Sequence, residues 1–282
     1  MNIAITGATS GIGAETLKGL IHQNHKIYLL ARNRKKAEDL IASLPLTSKN
    51  LVEFIEMDLT DFSSVVKAAE ELNWKTDSLD LLINNAGGIF PTHQLTKDGF
   101  ELTFASNHLG QFLLTQKLIP TLLKSKKPKV IAVSSEAHRM GKVDVNDIQG
   151  EKTGFSSFQS YANVKLFNIL FTKSLVDIYG PKGLQAYALH PGVVKTNFGK
   201  EGNGIFNFFW KMASPFMISA KAGAETTLYL AKNDIDSQFN GAYFKKSKPN
   251  TPSSFARSAS KREALWDISM KLIAPWMENL KD

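Results

Sequence analysis

The chain of 282 residues contains no cysteine. This absence excludes disulfides, zinc–thiolate sites and cysteine nucleophiles, and nothing supports a disulfide-stapled secreted scaffold. The sequence also lacks an uncharged apolar run of the ~18–20 residues that a transmembrane helix requires. The first predicted strand starts at Asn2, which leaves no room ahead of it for a signal peptide or an anchor helix. We therefore expect a cytoplasmic protein without a membrane span.

Aromatic residues are missing from the basic clusters of the chain, although its net charge is +8. The clusters are Arg32–Lys36, Lys124–Lys129 and Lys245–Lys248, and they are scattered along the sequence. A nucleic-acid site combines concentrated basic charge with a recognisable binding motif. We therefore expect no nucleic-acid partner and assign the second and third clusters to solvated surface.

Short apolar runs alternate with amphipathic helical patterns along nearly the whole chain, and 43% of the residues are hydrophobic. The predicted strands are Ile3–Thr6, Lys26–Leu30, Val52–Met57, Leu79–Ile83, Lys129–Ser134, Leu184–Leu189 and Gly241–Phe244. Apolar strands separated by helices are typical of a parallel sheet that is covered on both faces. No linker, repeat or low-complexity tract interrupts the alternation. We expect one doubly wound, Rossmann-type α/β domain over residues 1–282.

A glycine-rich turn, Thr6-Gly7-Ala8-Thr9-Ser10-Gly11-Ile12-Gly13, follows the first strand and leads directly into a helix. Gly7 permits the tight turn, Gly11 lets the backbone approach a pyrophosphate, and Gly13 lets the helix and strand pack closely. The helix N-terminus offers free N–H groups to phosphate. A glycine triplet alone is a weak signal, but in this strand–turn–helix setting it predicts a dinucleotide site.

A carboxylate is missing from the end of the second strand, where an NAD-binding domain commonly holds the ribose 2′-hydroxyl. The sequence there is Ala31-Arg32-Asn33-Arg34. The planar guanidinium of Arg32 is suited to a 2′-phosphate. The pattern favours NADPH over NADH, and the alternative is an ordinary surface arginine.

Tyr161 and Lys165 are spaced i and i+4, so they are neighbours on one helix face. Free tyrosine has a pKa of ~10, which is too high for a base near neutrality. A nearby ammonium, aided by the positive nicotinamide ring, favours phenolate and is expected to lower that pKa. Tyr161 is then predicted to exchange a proton with a carbonyl or alcohol oxygen. Ser135, at the end of a strand, would donate to the same oxygen, with Ser134 as the competing choice.

Further motifs occur in order along the chain: Asn84-Asn85-Ala86-Gly87, Asn107-His108-Leu109-Gly110, Ser134-Ser135-Glu136-Ala137-His138, Tyr161-Ala162-Asn163-Val164-Lys165 and His190-Pro191-Gly192-Val193-Val194. Together with the glycine-rich turn they resemble the short-chain dehydrogenase/reductase family, and within it the retinol-dehydrogenase-like members. The resemblance covers almost the whole chain. It implies a seven-stranded parallel sheet in the order 3-2-1-4-5-6-7 and an oxidoreductase that acts on CH–OH groups with NAD(P).

The resemblance also implies roles for individual residues. The catalytic set would be Asn107, Ser135, Tyr161 and Lys165, with Asn107 holding a water that relays protons through Lys165. The cofactor contacts would be Gly7, Ser10, Gly11, Ile12, Gly13, Arg32, Asp58, Leu59, Asn85, Ala86, Gly87, Tyr161, Lys165, Val193 and Thr196. Within this set, Asp58 is expected against the adenine, although it could instead cap the helix that begins after Asp61. No metal is expected.

The segment Phe198–Ala220 lies where this family carries its substrate lid, and it is rich in aromatic side chains. It predicts an apolar cover over a bulky carbonyl or alcohol, with core packing and contact with a membrane surface as alternatives. The polar stretch Glu136–Ser160 is long for a connection and is expected to border the same cleft.

Two features depart from the family pattern. Val164 replaces the usual serine before the lysine, and the N-terminal anchor common in retinol-dehydrogenase-like proteins is not expected here. The prediction is an NADPH-preferring oxidoreductase that interconverts a bulky alcohol with an aldehyde or ketone. An NADPH-sensing or partner-binding module with little turnover is one alternative, and an NAD-dependent enzyme of the same fold is another. A homodimer or homotetramer is possible through the helices that begin near Asn107 and Tyr161.

Overall fold

The computed structural model describes residues 1–21, 25–194 and 217–277. Eight of its strands form one sheet in the order β3-β2-β1-β4-β5-β6-β7-β8. The strands are β1 (Asn2–Thr6), β2 (Lys26–Ala31), β3 (Val52–Glu56), β4 (Leu81–Asn84), β5 (Lys129–Val133), β6 (Gln185–His190), β7 (Tyr243–Lys245) and β8 (Lys248–Asn250). The first seven are parallel and follow the predicted order, which confirms the doubly wound α/β fold.

The eighth strand corrects the predicted count of seven. It pairs antiparallel with β7 through a two-residue turn at Lys246 and Ser247, whose φ angles are +52° and +56°. Two successive positive φ angles are what the tightest hairpin turns require. The basic cluster Lys245–Lys248 is therefore a hairpin turn at the edge of the sheet.

Helices cover both faces of the sheet. The α-helices are α1 (Gly11–Leu20), α2 (Arg34–Ala42), α3 (Leu46–Lys49), α4 (Phe62–Lys75), α5 (Leu102–Phe104), α6 (Gly110–Leu122), α7 (Ser157–Tyr179), α8 (Ala220–Lys232) and α9 (Ala259–Met277). A π-helical turn, Ala105–Leu109, joins α5 to α6, and a 3₁₀ turn, Glu136–Met140, follows β5. None of the described helices is long and apolar enough to cross a membrane.

Side chains alternate along the strands between two hydrophobic layers, as the period of a strand requires. Ala4 of β1 faces the layer built with α4, α6, α7 and α9, whereas Ile3 and Ile5 face the layer built with α1 and α8. Phe167 and Leu170 of α7 are buried in the first layer. They belong to the core of the single chain.

A short backbone contact joins the loop that follows β6 to the residues just before α8. Val194 forms an isolated parallel bridge with Ile218, and the Ile218 N–H donates to the Val193 carbonyl at 2.8 Å. Gly192 has a φ of +97°, and a Cβ there would lie 2.5 Å from the Ile218 side chain. Val193 and Val194 are thereby placed beside the start of α8, which begins at Ala220.

Candidate active site

The glycine-rich turn after β1 has the backbone geometry that the sequence predicts. Gly7 and Gly11 have φ angles of +65° and +55°, in the left-handed region that favours glycine. A Cβ on Gly13 would lie 2.5 Å from the Asn85 side chain and 2.7 Å from the Gly7 carbonyl oxygen. Ser10 precedes α1 with an extended backbone and, within the described part of the chain, makes no side-chain capping bond. The Ser10 side chain therefore leaves the first N–H groups of α1 available for a phosphate.

Thr6 and Asn85 join this turn to the loop after β4. The Asn85 side chain donates to the carbonyls of Thr6 at 2.8 Å and of Gly7 at 3.3 Å. The Thr6 hydroxyl accepts the backbone N–H groups of Asn85 at 3.0 Å and Ala86 at 2.9 Å. The Asn85 amide is thus used to build the turn. Thr6 was missed as a site residue, although it opens the glycine motif.

Asn107 lies in the π-helical turn and is fully buried. Its amide oxygen accepts the Gly88 N–H at 3.0 Å, and its amide nitrogen donates to the carbonyls of Gly88 and Thr103, both at 3.0 Å. A Cβ on Gly87 would collide with the Asn107 amide oxygen and would lie 3.2 Å from the Lys165 ammonium nitrogen. Asn107 therefore clamps the loop that brings Gly87 against Lys165.

The two serines after β5 have different partners. The buried Ser134 hydroxyl donates to the Lys165 carbonyl at 2.6 Å and so attaches α7 to the sheet. The Ser135 hydroxyl oxygen accepts the Ala137 N–H at 3.2 Å. The Ser135 side chain is also near enough to Tyr161 to oppose the rise in the pKa of the tyrosine hydroxyl. Ser135, the serine preferred from the sequence, is the one that faces the tyrosine.

Tyr161 and Lys165 lie on the same face of α7, with the Lys165 nitrogen 5.3 Å from the centre of the tyrosine ring. Lys165 is 4% exposed, and its Nζ donates to the Val133 carbonyl at 3.2 Å. The four predicted catalytic residues thus lie at one edge of the sheet: Asn107 in the π-helical turn, Ser135 after β5, and Tyr161 and Lys165 on α7.

The pKa values of this pair differ from the sequence-based expectation. Burial raises the pKa of Tyr161 to about 12, and the hydrogen bond with Ser135 opposes the rise. The same burial lowers the pKa of Lys165 to about 8. Desolvation disfavours the charged form of each group. The lowered tyrosine pKa that we expected from the lysine is therefore not produced by the protein's own residues.

Two predicted residues, Asp58 and Leu59, follow β3. The Asp58 carboxylate accepts the N–H and the hydroxyl of Thr60 at 2.9 and 2.7 Å. The cap of α4 is Asp61, which accepts the Ser64 N–H at 3.2 Å. The alternative role of Asp58 as the helix cap is therefore wrong. The Leu59 carbonyl oxygen lies against Gly110, and a Cβ on Gly110 would collide with that oxygen.

Arg32 is exposed at the end of β2, and it forms no ion pair among the described residues. The neighbouring Arg34 is occupied, because it pairs with Glu56 at 3.3 Å and lies over the Phe54 ring at 4.8 Å. Of the two arginines after β2, Arg32 is the one without such partners in this part of the structure.

The nicotinamide side of the predicted site is described only in part. Val193 is 37% exposed at the end of the loop after β6. Thr196 and most of the predicted lid, residues 198–216, lie outside the described residues. The preceding His190 accepts the Glu136 N–H at 3.3 Å through Nδ1, and burial lowers its pKa to about 4.

The residues present fit a dinucleotide. The positive φ angles of Gly7 and Gly11 give the turn the backbone shape that a pyrophosphate site at the N-terminus of α1 requires, and Gly13 lets α1 pack closely against the turn and the loop after β4. Binding sites of open parallel sheets lie outside the carboxyl ends of the strands, where the order reverses between β1 and β4. The glycine-rich turn occupies this position.

Comparison with known proteins agrees with this geometry. The model of the family "short chain dehydrogenase" matches residues 1–204. Mouse (Mus musculus) retinol dehydrogenase 12 is 36% identical over 272 residues, which cover 96% of this chain and 85% of the mouse protein. The human (Homo sapiens) WW domain-containing oxidoreductase is 34% identical over 279 residues, covering 96% of this chain and 67% of that protein.

A solved structure gives the same result for the fold. The crystal structure of an uncharacterized protein from Mycobacterium paratuberculosis superposes with a TM-score of 0.79 at 31% identity, covering 97% of this chain and 93% of that one. The chain therefore belongs to the short-chain dehydrogenase/reductase family, as a retinol-dehydrogenase-like member. It is an oxidoreductase that acts on CH–OH groups with NAD(P) as acceptor.

Proposed function

We propose that this protein is an NADPH-preferring reductase of bulky, apolar aldehydes and ketones, and that Ser135, Tyr161 and Lys165 perform the proton chemistry. The observation that carries the proposal is the arrangement around the partly buried Tyr161: the Lys165 nitrogen lies 5.3 Å from the centre of its ring, and Ser135 lies close enough to affect the pKa of its hydroxyl. These groups converge beside the dinucleotide-binding turn, at the edge of the sheet where a substrate can meet the cofactor.

Tyr161 donates its hydroxyl proton to the substrate oxygen, and Ser135 hydrogen-bonds the same oxygen as negative charge develops there. NADPH, when bound at the glycine-rich turn, would supply the hydride for the carbonyl carbon. A tyrosine with a pKa of about 12 retains its proton at neutral pH, which suits a donor in the reductive direction. Lys165, with a pKa of about 8, is poised to pass a proton back to Tyr161. Asn107 holds the Gly88 loop against Lys165 and would place the relay water nearby.

The cofactor contacts extend this proposal along the sheet edge. Gly7, Ser10, Gly11, Ile12 and Gly13 would hold the pyrophosphate at the start of α1. The remaining contacts would come from the ends of the other strands: Asp58 and Leu59 at the adenine, Asn85, Ala86 and Gly87 at the adenosine ribose, Tyr161 and Lys165 at the nicotinamide ribose, and Val193 and Thr196 at the carboxamide. Asn85 would contact the cofactor through its backbone, because its side-chain amide already donates to the carbonyls of Thr6 and Gly7.

The preference for NADPH rests on Arg32. The end of β2 presents an exposed guanidinium where an NAD site needs a carboxylate, and the next arginine is already paired with Glu56. A planar guanidinium bonds phosphate oxygens in pairs. Arg32 is thus suited to the 2′-phosphate of NADPH.

The bulky, apolar substrate class is supported by side chains around the start of α7. Phe158 is 40% exposed, and it precedes Tyr161 by three residues, so the two share a helix face. Met140, at the end of the 3₁₀ turn that begins after Ser135, is 61% exposed. Apolar groups near the reacting oxygen favour an apolar substrate, and the name of the mouse relative, retinol dehydrogenase 12, points to the same class.

The test measures oxidation of NADPH and of NADH with aldehydes and ketones of increasing bulk, with Tyr161→Phe in parallel. We expect turnover that favours NADPH, rises with apolar bulk and falls by about 10²–10⁴-fold in Tyr161→Phe, the range for a lost acid–base group. Wild-type turnover in Tyr161→Phe would overturn the mechanism. Nucleotide binding without any turnover would favour the sensing module.

A second pair of variants tests the cofactor preference. Arg32→Asp should reduce kcat/KM for NADPH and leave or improve that for NADH, because it removes the phosphate ligand and adds a ribose ligand. Lys36→Asp, at an exposed position in the first turn of α2, makes the same change in charge and controls for the general electrostatic effect of that change. Equal effects of both substitutions would show that Arg32 does not bind the 2′-phosphate.

A further inference from the structure

The backbone of Ser135 is held by a buried histidine three residues away. Nδ1 of His138 lies 2.6 Å from the Ser135 carbonyl oxygen, and the His138 N–H donates to the same oxygen at 3.1 Å. On the other side of the ring, the Ser253 N–H donates to Nε2 at 3.1 Å. His138 is fully buried and therefore links Ser135 to the chain beyond β8.

The partners of His138 determine where its proton lies. A backbone N–H only donates, so Nε2 must accept the bond from Ser253. A carbonyl only accepts, so Nδ1 must carry the hydrogen that bonds Ser135. Burial keeps the ring neutral, because it lowers the pKa of His138, although the bond with the Ser135 carbonyl opposes the shift. The ring is thus held in one tautomer and one orientation.

Neighbouring side chains fix the ring further. It packs edge-on against Tyr243 of β7, with ring centres 4.9 Å apart. The Tyr243 hydroxyl donates to the Glu136 carboxylate at 2.7 Å, and Arg139 donates to the Thr251 carbonyl at 2.9 Å. The 3₁₀ turn after Ser135 is therefore attached on both sides to the β7–β8 hairpin and the chain that follows it.

This anchoring controls the direction of the Ser135 hydroxyl. A bonded carbonyl restrains the Ser135–Glu136 peptide, and the next peptide along the turn directs the Ala137 N–H at the Ser135 hydroxyl oxygen, at 3.2 Å. The bond from Ala137 holds the Ser135 side chain in the position from which it opposes the rise in the Tyr161 pKa. A change at the carbonyl would thus be transmitted to the hydroxyl.

We propose that His138 is a positioning residue, which keeps the Ser135 hydroxyl directed at Tyr161 through the bond from its Nδ1–H to the Ser135 carbonyl. The proposal rests on the function proposed above for Ser135. His138 contacts neither substrate nor cofactor in this role. It acts through the one peptide that it holds.

Two amide substitutions separate positioning from simple packing. His138→Asn places its amide near the former Nδ1 and keeps the donor to Ser135, whereas His138→Gln places its amide near the former Nε2 and keeps only the acceptor for Ser253. We expect kcat to fall by about 10–100-fold in His138→Gln, as for a misplaced catalytic group. His138→Asn should stay within a few-fold of wild type, and KM should be similar in both. Equal losses of kcat in the two variants, or no loss in either, would overturn the proposal.

A measurement without substrate keeps this test separate from the proposed function. The chain has six tyrosines, so labelling with [¹³Cζ]tyrosine gives few NMR signals, and Tyr161→Phe assigns the one from the site. This signal should shift in His138→Gln, where Ser135 turns away, and stay in place in His138→Asn. If wild-type protein turns over no carbonyl, the proposed function fails, but the NMR shift still decides the role of His138. An unmoved Tyr161 signal in His138→Gln would refute it.

Discussion

Replacement of Lys165 by methionine should stabilise the nucleotide-free protein while it abolishes activity. Lys165 is 4% exposed, and its pKa falls from 10.5 to about 8 because burial penalises the ammonium. The folded protein therefore holds a charge that would be better solvated in the unfolded chain. Methionine matches the length of the lysine side chain and has no charge to desolvate.

The size of the effect follows from the pKa. A fall from 10.5 to about 8 corresponds to roughly 3–4 kcal/mol, at ~1.4 kcal/mol for each pKa unit. The substitution also removes the bond from Nζ to the Val133 carbonyl, but that carbonyl keeps a second donor, the Asn168 amide, at 3.2 Å. A lost hydrogen bond of this kind costs about 1 kcal/mol. We therefore expect a net gain of about 2–3 kcal/mol in the free energy of unfolding.

The gain should depend on pH with a definite sign. The unfolded lysine binds its proton up to pH ~10.5, whereas the folded lysine releases it above about 8. The desolvation penalty of wild type is thus complete below pH 8 and disappears as the pH rises toward 10.5. The difference between Lys165→Met and wild type should accordingly be largest at pH 7 and shrink by pH 10.

Urea unfolding at pH 7 and pH 10 measures this difference on protein freed of nucleotide, because a bound nucleotide would stabilise only the folded state. Lys36→Met, which removes an exposed lysine of α2, is the matched control and should show no such change with pH. A variant less stable than wild type at pH 7, or a difference that stays constant up to pH 10, would refute the reasoning.

The remaining predictions concern the serines, the glycine turn and the histidine. Ser135→Ala should lower kcat by about 10²-fold with little change in stability. Ser134→Ala should retain activity and lose about 1 kcal/mol of unfolding free energy. Steady-state kinetics and urea unfolding measure both variants, and a larger loss of kcat in Ser134→Ala than in Ser135→Ala would contradict the assignment. Gly13→Ala should weaken NADPH binding in a fluorescence titration, because its Cβ would lie 2.5 Å from the Asn85 amide; an unchanged Kd would contradict this. His138 should show a neutral Nδ1–H ring in ¹⁵N NMR at pH 6.5, since its pKa is lowered, and a half-protonated ring at that pH would contradict the bonding scheme.

Local sequence patterns were sufficient to predict those parts of the structure that depend on regular spacing within one segment of the chain. The doubly wound parallel sheet and the turn at Gly7, Gly11 and Gly13 follow from alternation and from the backbone freedom of glycine, whereas the strand order was implied by the family resemblance. The π-helical turn at Asn107 and the start of α7 at Ser157, four residues before Tyr161, were not predicted, since their boundaries depend on packing. The hairpin at Lys246 and Ser247 was missed because it lacks the Asn-Gly or Gly residues that usually mark such turns.

The sequence by itself determined the doubly wound sheet, the dinucleotide turn and the residue types of the site, because each depends on spacing within one segment. Only the tertiary structure decided which polar groups form structural hydrogen bonds and which remain available for the reaction. Asn85 bonds the Thr6 and Gly7 carbonyls, and Ser134 bonds α7, so Ser135 alone of the two serines faces Tyr161. The backbone N–H that donates to Nε2 of His138 comes from Ser253, 115 residues away in the sequence. Burial, which no local pattern reports, sets the pKa values of Tyr161 and Lys165 in opposite directions because it penalises whichever form is charged.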